Sequence, residues 1–178
     1  MGEMIKRQVI AKGRYLLLAR RGNWEYVERL HARGVVVIAA TTDQQELILI
    51  EQFRIPLLAN VIELPAGLVG DSKEHADEDI IDAAKRELLE ETGYEAKHFS
   101  PIISGPSSAG LSNEIYTMLH AHGLNKIGAG GGVHDERIAV HCIGLKNVQN
   151  WLQQKIAEGK LIDPKILAAL FYLLNRGS

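Results

Sequence analysis

The chain has 178 residues, 46% of them hydrophobic and 24% charged, which is enough for one globular domain with a full core and a small appendage. Its formal net charge of −2 argues against broad binding of nucleic acid, which needs a basic surface that releases counterions. The single cysteine, Cys142, excludes an internal disulfide framework and, in the apolar run "RIAVHCIGL", reads as a buried thiol.

The N-terminus "MGEMIKRQVI" has no signal-peptide core, and Lys6 stands where a myristoylation motif needs Ser or Thr. The longest apolar runs, "VVVIAA" and "ILAALFYLL", are too short to span a bilayer. A cytoplasmic protein without membrane contact is the expectation.

Residues 7–30 hold three short strand-like pieces, "QVIAKG", "RYLLLA" and "WEYVERL", broken at Gly13 and at "RRGN". They read as an antiparallel meander too small for a core of its own. From Arg33 the pattern changes to the apolar runs "GVVVIAATT" and "QELILIEQF" around the turn "TTDQQ", then "VIELPAG". These read as core strands.

A helix follows, with Asp77, Glu78 and Asp79 expected in its first turn and Gly93 as a left-handed stop. Tyr94 is positioned to pack back on Leu88 or Leu89. "EIYTMLHAH" and "ERIAVHCIGL" read as further strands, separated by the glycine-rich "KIGAGGGVHDE". No helix starts after these glycines and no Gly-Lys-Ser or Gly-Lys-Thr follows, so they read as a mobile loop rather than a phosphate cradle. Two helices close the chain, "NVQNWLQQKIAEG" and "DPKILAALFYLLN", the second with Asp163 as N-cap and Pro164 at its first position.

Within "AAKRELLEETGYE", Glu87, Glu90 and Glu91 fall inside an arc of about 100° on a helix. Like charges so placed repel by a few tenths of a kcal/mol per pair, roughly, and lie at the helix end that disfavours anions. Two readings offer compensation: a solvated face balanced by Lys85 and Arg86, or a seat for a hard divalent cation.

The string "REL-x-EE-x-G-Y" from Arg86 to Tyr94, with Glu78 eight residues before Arg86 and "ELPAG" upstream, resembles the signature of the Nudix hydrolases. One departure is visible: ten residues, "LVGDSKEHAD", separate Gly67 from Glu78 where the family has five, and Gly70 or Ser72 could take over the turn. The resemblance implies an α/β/α sandwich around a mixed sheet, with the N-terminal β appendage (residues 1–32) added to a Nudix domain (33–178). It further implies hydrolysis, dependent on Mg²⁺ or Mn²⁺, of a nucleoside diphosphate linked to another moiety. By that resemblance Glu87 and Glu91 are direct metal ligands, Glu90 a ligand or a water-mediated contact, and the carbonyl of Ala66 a further ligand. Arg86 is implied to orient the glutamates.

The remainder, from about residue 24 to 145, is similar to the ADP-ribose pyrophosphatase branch through "WEYVER", "EQFR", "ELPAG" and "SSAGLSNE". That branch implies cleavage of ADP-ribose to AMP and ribose 5-phosphate, with GDP-mannose or another nucleoside diphosphate sugar as the alternative. It also implies a homodimer with exchanged N-terminal strands. Trp24 is the candidate for stacking on adenine, or else packs the appendage on the core; Arg54 is the candidate for a phosphate or ribose contact, or else a structural salt bridge; and Glu114 either accepts from substrate hydroxyls or orders the metal site through Arg86. The base that activates water is implied to lie in the loop after the helix, on Glu136, with His134 as second candidate. A module that binds a nucleotide sugar without cleaving it is the reading of another class, and three clustered carboxylates argue against it.

Overall fold

The computed structural model describes residues 5–72, 74–133 and 136–175. In chain order the elements are β1 (Arg7–Lys12), β2 (Leu16–Arg21), β3 (Trp24–Arg29), β4 (Gly34–Ala40), β5 (Glu46–Arg54), β6 (Ala59–Glu63), β7 (Ala66–Val69), α1 (Ile80–Thr92), β8 (Tyr94–Pro106), β9 (Ile115–Lys126), β10 (Ile138–Gly144), α2 (Val148–Ala157), β11 (Leu161–Ile162) and α3 (Lys165–Leu174). A short 3-10 turn, Ile55–Leu57, joins β5 to β6.

Strands β1, β2 and β3 form an antiparallel sheet of their own. The rest of the chain builds two four-stranded mixed sheets, in the orders β7-β4-β9-β8 and β10-β5-β6-β11. β4 runs parallel to β9 and β11 parallel to β6, and the other pairs are antiparallel.

β4 and the first half of β5, Leu47 to Ile50, are apolar because both of their faces are covered there. Val36, Ile38 and Ile48 pack toward Ala83, Ala84 and Leu88 of α1. Val37, Ala39, Leu47 and Leu49 point the other way, onto Val148 and Leu152 of α2 and Ile166 of α3. The layers are therefore helix, sheet, helix, as the resemblance implies. Burying each Val, Leu or Ile side chain among them contributes about 1.5–3 kcal/mol, so these two clusters dominate the stability of the fold.

Three local expectations need correction. α1 begins at Ile80, not within 77–79, because the Asp79 carboxylate accepts from the N–H groups of Ile81 (2.8 Å) and Asp82 (2.9 Å) and so acts as N-cap. α3 starts one residue later than expected, at Lys165, although Asp163 does cap the Lys165 N–H at 2.9 Å. β8, over "YEAKHFSPIISGP", adds a strand to those expected. It is an edge strand with exposed polar positions, and Pro101 sits where its register slips against β9, one of the places a strand tolerates proline. Cys142 is exposed, not buried. It shares a face with Val140 but sits on the edge strand β10, with its Sγ 3.5 Å from the Tyr94 hydroxyl. Among the described residues no helix is long and apolar enough to cross a membrane.

Candidate active site

α1 brings the acidic residues together, and two glycines before it make the approach possible. A Cβ on Gly67 would lie 1.9 Å from the Glu87 carboxyl carbon, so only glycine lets β7 pass this close to the helix. Gly70 has φ +71 and donates its N–H to Glu78 Oε1 at 3.0 Å. The left-handed turn thus falls on Gly70, while Gly67 makes room for Glu87.

Arg86 is the hub of the helix face. Its guanidinium bonds Glu78 Oε1 (2.9 Å) and Oε2 (3.2 Å), Glu87 Oε1 (2.8 Å), Glu90 Oε2 (3.4 Å) and the Leu68 carbonyl (3.1 Å). Burial alone would lower its pKa, but the bonds to Glu78 and the charge of Glu87 raise it above the usual value. Glu78 answers in kind: burial would raise its carboxyl, and Arg86 together with the Gly70 N–H holds it below the usual range. This tie spans the lengthened loop and fixes its far end to the helix.

Glu87 and Glu91 lie deeper. Burial pushes Glu87 up to about 7 against the pull of Arg86, with Glu90 and Asp71 adding to the rise. Glu91 is 5% exposed, and burial pushes it up to about 8. The Ala66 N–H, at 3.0 Å from its Oε2, lowers it, and the charges of Glu87 and Glu136 raise it further. Both face an open cavity of about 450 Å³, which Ala66, Glu136, Arg54 and Glu114 also line.

Arg54 stands at the rim, paired with Glu63 at 2.6 Å. Glu114 is paired with Arg29 of β3 at 2.8 Å and accepts from Ser107 Oγ at 3.1 Å. Trp24 is not brought to this cavity. The residue is 61% exposed, and its indole donates to the Gly110 carbonyl at 3.3 Å. Glu90 lies on the same helix face, held by Arg86, but does not line the cavity. His134 lies outside the described residues.

Sequence reasoning passed over Gln52, Glu63, Asp71, Arg29 and Lys165, all of which line the cavity. Gln52 and Glu63 sit inside the quoted strings "EQFR" and "ELPAG", and strand alternation from Arg54 would have put Gln52 on its face. Arg29 ends "WEYVER" but lies far along the chain from the other cavity residues, and Asp71 and Lys165 carry no local signal. The glycine-rich loop is also not free. Gly131 and Gly132 donate to the carbonyls of Glu91 (2.9 Å) and Glu90 (3.0 Å), so it is tied to the end of α1.

Among the described residues no three His, Cys, Asp or Glu side chains already converge as a metal's ligands. The donor set nonetheless fits a hard divalent cation. It offers oxygen only, from carboxylates whose burial and mutual repulsion a cation would relieve.

The NUDIX domain family model matches residues 30–149. A methanol dehydrogenase activator of Bacillus methanolicus is 33% identical over 141 residues, which cover 79% of this chain and 71% of that protein. An ADP-ribose pyrophosphatase of Bacillus subtilis is 31% identical over 143 residues, with the same coverage of 79% and 71%. A GDP-mannose pyrophosphatase of Cronobacter sakazakii is 27% identical over 152 residues, covering 81% and 74%. The crystal structure of an ADP compounds hydrolase superposes with a TM-score of 0.74, over 98% of this chain and 95% of that one, at 18% identity. That likeness is one of fold.

Proposed function

The chain belongs to the Nudix family, and on that premise we propose that it hydrolyses the pyrophosphate bond of ADP-ribose, giving AMP and ribose 5-phosphate. The observation that carries this reading is one cavity joining the buried carboxylates Glu87 and Glu91 to Glu136 on one side and to the guanidinium of Arg54 on the other. A diphosphate needs both its charge neutralised and a water activated beside it, and such a cavity offers groups for each task.

Glu87, Glu91 and the Ala66 carbonyl would hold Mg²⁺, or Mn²⁺ in its place, with Glu90 contributing directly or through water. When bound, the cation neutralises the diphosphate and lowers the pKa of water. Arg86 holds Glu87 and Glu90 in place through its bonds to them. Glu136 takes a proton from the attacking water. The water oxygen bonds to one phosphorus, the bridging P–O bond breaks, and its electron pair leaves on the other phosphate. Arg54 can turn from Glu63 to a phosphate oxygen, for which its planar fork is suited. Glu114 accepts from sugar hydroxyls at the cavity mouth.

We assign residues 1–32 to an appendage and 33–178 to the Nudix domain, and place two copies in a homodimer with exchanged appendages. Exchange gives the exposed Trp24 indole a cavity to serve, where it stacks on adenine. GDP-mannose is the second reading, favoured by the relative from Cronobacter sakazakii. The metal chemistry is common to both, and base and sugar contacts separate them.

A panel of ADP-ribose, GDP-mannose, other sugar nucleotides and nucleoside triphosphates, incubated with Mg²⁺, tests the proposal. AMP and ribose 5-phosphate are expected from ADP-ribose at the highest kcat/KM. Turnover of triphosphates alone, with every sugar nucleotide inert, would refute it.

A further inference from the structure

Residues 127–132 are seated on the C-terminal end of α1. The N–H groups of Ile127 and Gly128 donate to the Gly93 carbonyl at 2.9 and 3.1 Å, Gly131 to the Glu91 carbonyl at 2.9 Å, and Gly132 to the Glu90 carbonyl at 3.0 Å. The last carbonyls of a helix have no partner within it, and here a neighbouring main chain supplies one. Only glycine permits the approach. A Cβ on Gly130 would lie 2.4 Å from the Thr92 carbonyl carbon, and one on Gly93 would lie 2.1 Å from the Gly128 oxygen. Gly130, Gly131 and Gly132 have φ of +68, +107 and +85, a run that other residues adopt only under strain.

From this seat the chain reaches Glu136. The Val133 N–H donates to Glu136 Oε2 at 3.0 Å, and the Glu136 N–H donates to the Val133 carbonyl at 3.1 Å. The Ile138 N–H returns to the Gly131 carbonyl at 3.2 Å, and a Cβ on Gly132 would lie 2.6 Å from the Glu136 Cβ. Glu136 is thus bonded to Val133, the residue after Gly132, and Gly131 and Gly132 are bonded to the main chain of Glu91 and Glu90.

We propose that Gly130, Gly131 and Gly132 form a positioning clamp that registers the Glu136 carboxylate against the Glu87 and Glu91 face of α1. The inference rests on the reading of Glu136 as general base. The helix that offers the carboxylates also fixes, through its own terminal carbonyls, the group that must reach the water beside them. A base works only within hydrogen-bond reach of its proton, and a displacement of about 1 Å can cost about 10²-fold in rate.

The test is steady-state kinetics on the full chain with ADP-ribose and Mg²⁺, for Gly130→Ala, Glu136→Gln and the double variant. Gly130→Ala is expected to lower kcat at least about tenfold while KM and the Mg²⁺ affinity, read by calorimetry, move less than about twofold. In the Glu136→Gln background the same change should cost less than about twofold, because the clamp acts through Glu136. Gly105→Ala, whose Cβ meets nothing within 4 Å, should match the parent. Equal losses in both backgrounds would overturn the clamp. So would a full-rate Gly130→Ala beside a slow Glu136→Gln, which leaves the base assignment standing. A full-rate Glu136→Gln removes the base assignment and the clamp together. If Gly130→Ala does not fold, Gly131→Ala takes its place in the same cycle, since its Cβ meets nothing closer than the Ile138 oxygen at 3.8 Å and only its φ is strained.

Discussion

Glu91 is a carboxylate placed where charge is costly: buried, beside Glu87, with a main-chain N–H from Ala66 as a hydrogen bond at 3.0 Å. Replacing it by Gln keeps the shape and removes the charge, so Glu91→Gln and Glu87→Gln should each lower kcat by orders of magnitude and leave the circular dichroism spectrum unchanged. Stability should move the opposite way when metal is chelated. Glu91 binds its proton up to about 8 in the fold but only up to about 4.5 when unfolded, so the folded state holds more protons between these values and the parent loses stability as pH rises through that window. Glu91→Gln escapes this loss. In EDTA its melting temperature should exceed the parent's increasingly from pH 4.5 to 8, with no further gain beyond. Saturating Mg²⁺ should shrink or reverse the difference. A Glu91→Gln enzyme at full rate, with no stability gain at pH 8, would leave Glu91 a structural hydrogen-bond acceptor for the Ala66 N–H and no metal ligand.

At the scale of elements, α1 is the frame on which the site depends, and its start is set by one side chain. Asp79→Ala removes both bonds to the first turn and should destabilise the protein by about 0.5–2 kcal/mol in urea unfolding, with kcat nearly unchanged because Glu87 and Glu91 lie two turns and more away. A loss of activity with intact stability would mean that Asp79 acts on the site and not on the helix. The helix was legible in the sequence because everything that shapes it is local: an apolar stripe through Ala84 and Leu88, the clustered glutamates, and the stop at Gly93. β4 and the Leu47–Ile50 half of β5 were legible because strand segments covered on both faces are apolar. β8 was not, since an edge strand needs little apolar character and its pairing partner lies in β9. The glycine loop showed the same limit. Its composition suggested freedom, whereas close backbone packing, visible only in three dimensions, explains the glycines. Arg29 and Lys165 reach the cavity from opposite ends of the chain, and no spacing rule connects them.

The whole molecule poses the question of how its N-terminal sheet is held. Its buried core is Leu17, Ala19 and Tyr26, with Leu30 against them, and a three-stranded sheet with so little apolar burial is marginal alone. It rests on the 107–114 segment through few contacts: the Val27 N–H on the Leu111 carbonyl at 2.8 Å, the Asn113 N–H on the Val27 carbonyl at 3.4 Å, Trp24 on Gly110, and the Arg29–Glu114 pair. Every residue of β1 is exposed, and Val9, Ile10, Tyr15 and Leu16 present apolar surface that these contacts leave uncovered. A second copy whose own sheet is equally short of burial would cover it, which is the physical ground for proposing a homodimer. Static light scattering at micromolar concentration should therefore report a mass near twice 19.7 kDa. Removing residues 1–30 should give a folded monomer with raised KM for ADP-ribose, because it takes away both Trp24 and the Arg29 that holds Glu114 at the cavity mouth. A monomeric parent would refute exchange. A truncated chain that still dimerises with unchanged KM would show that the appendage serves neither assembly nor substrate.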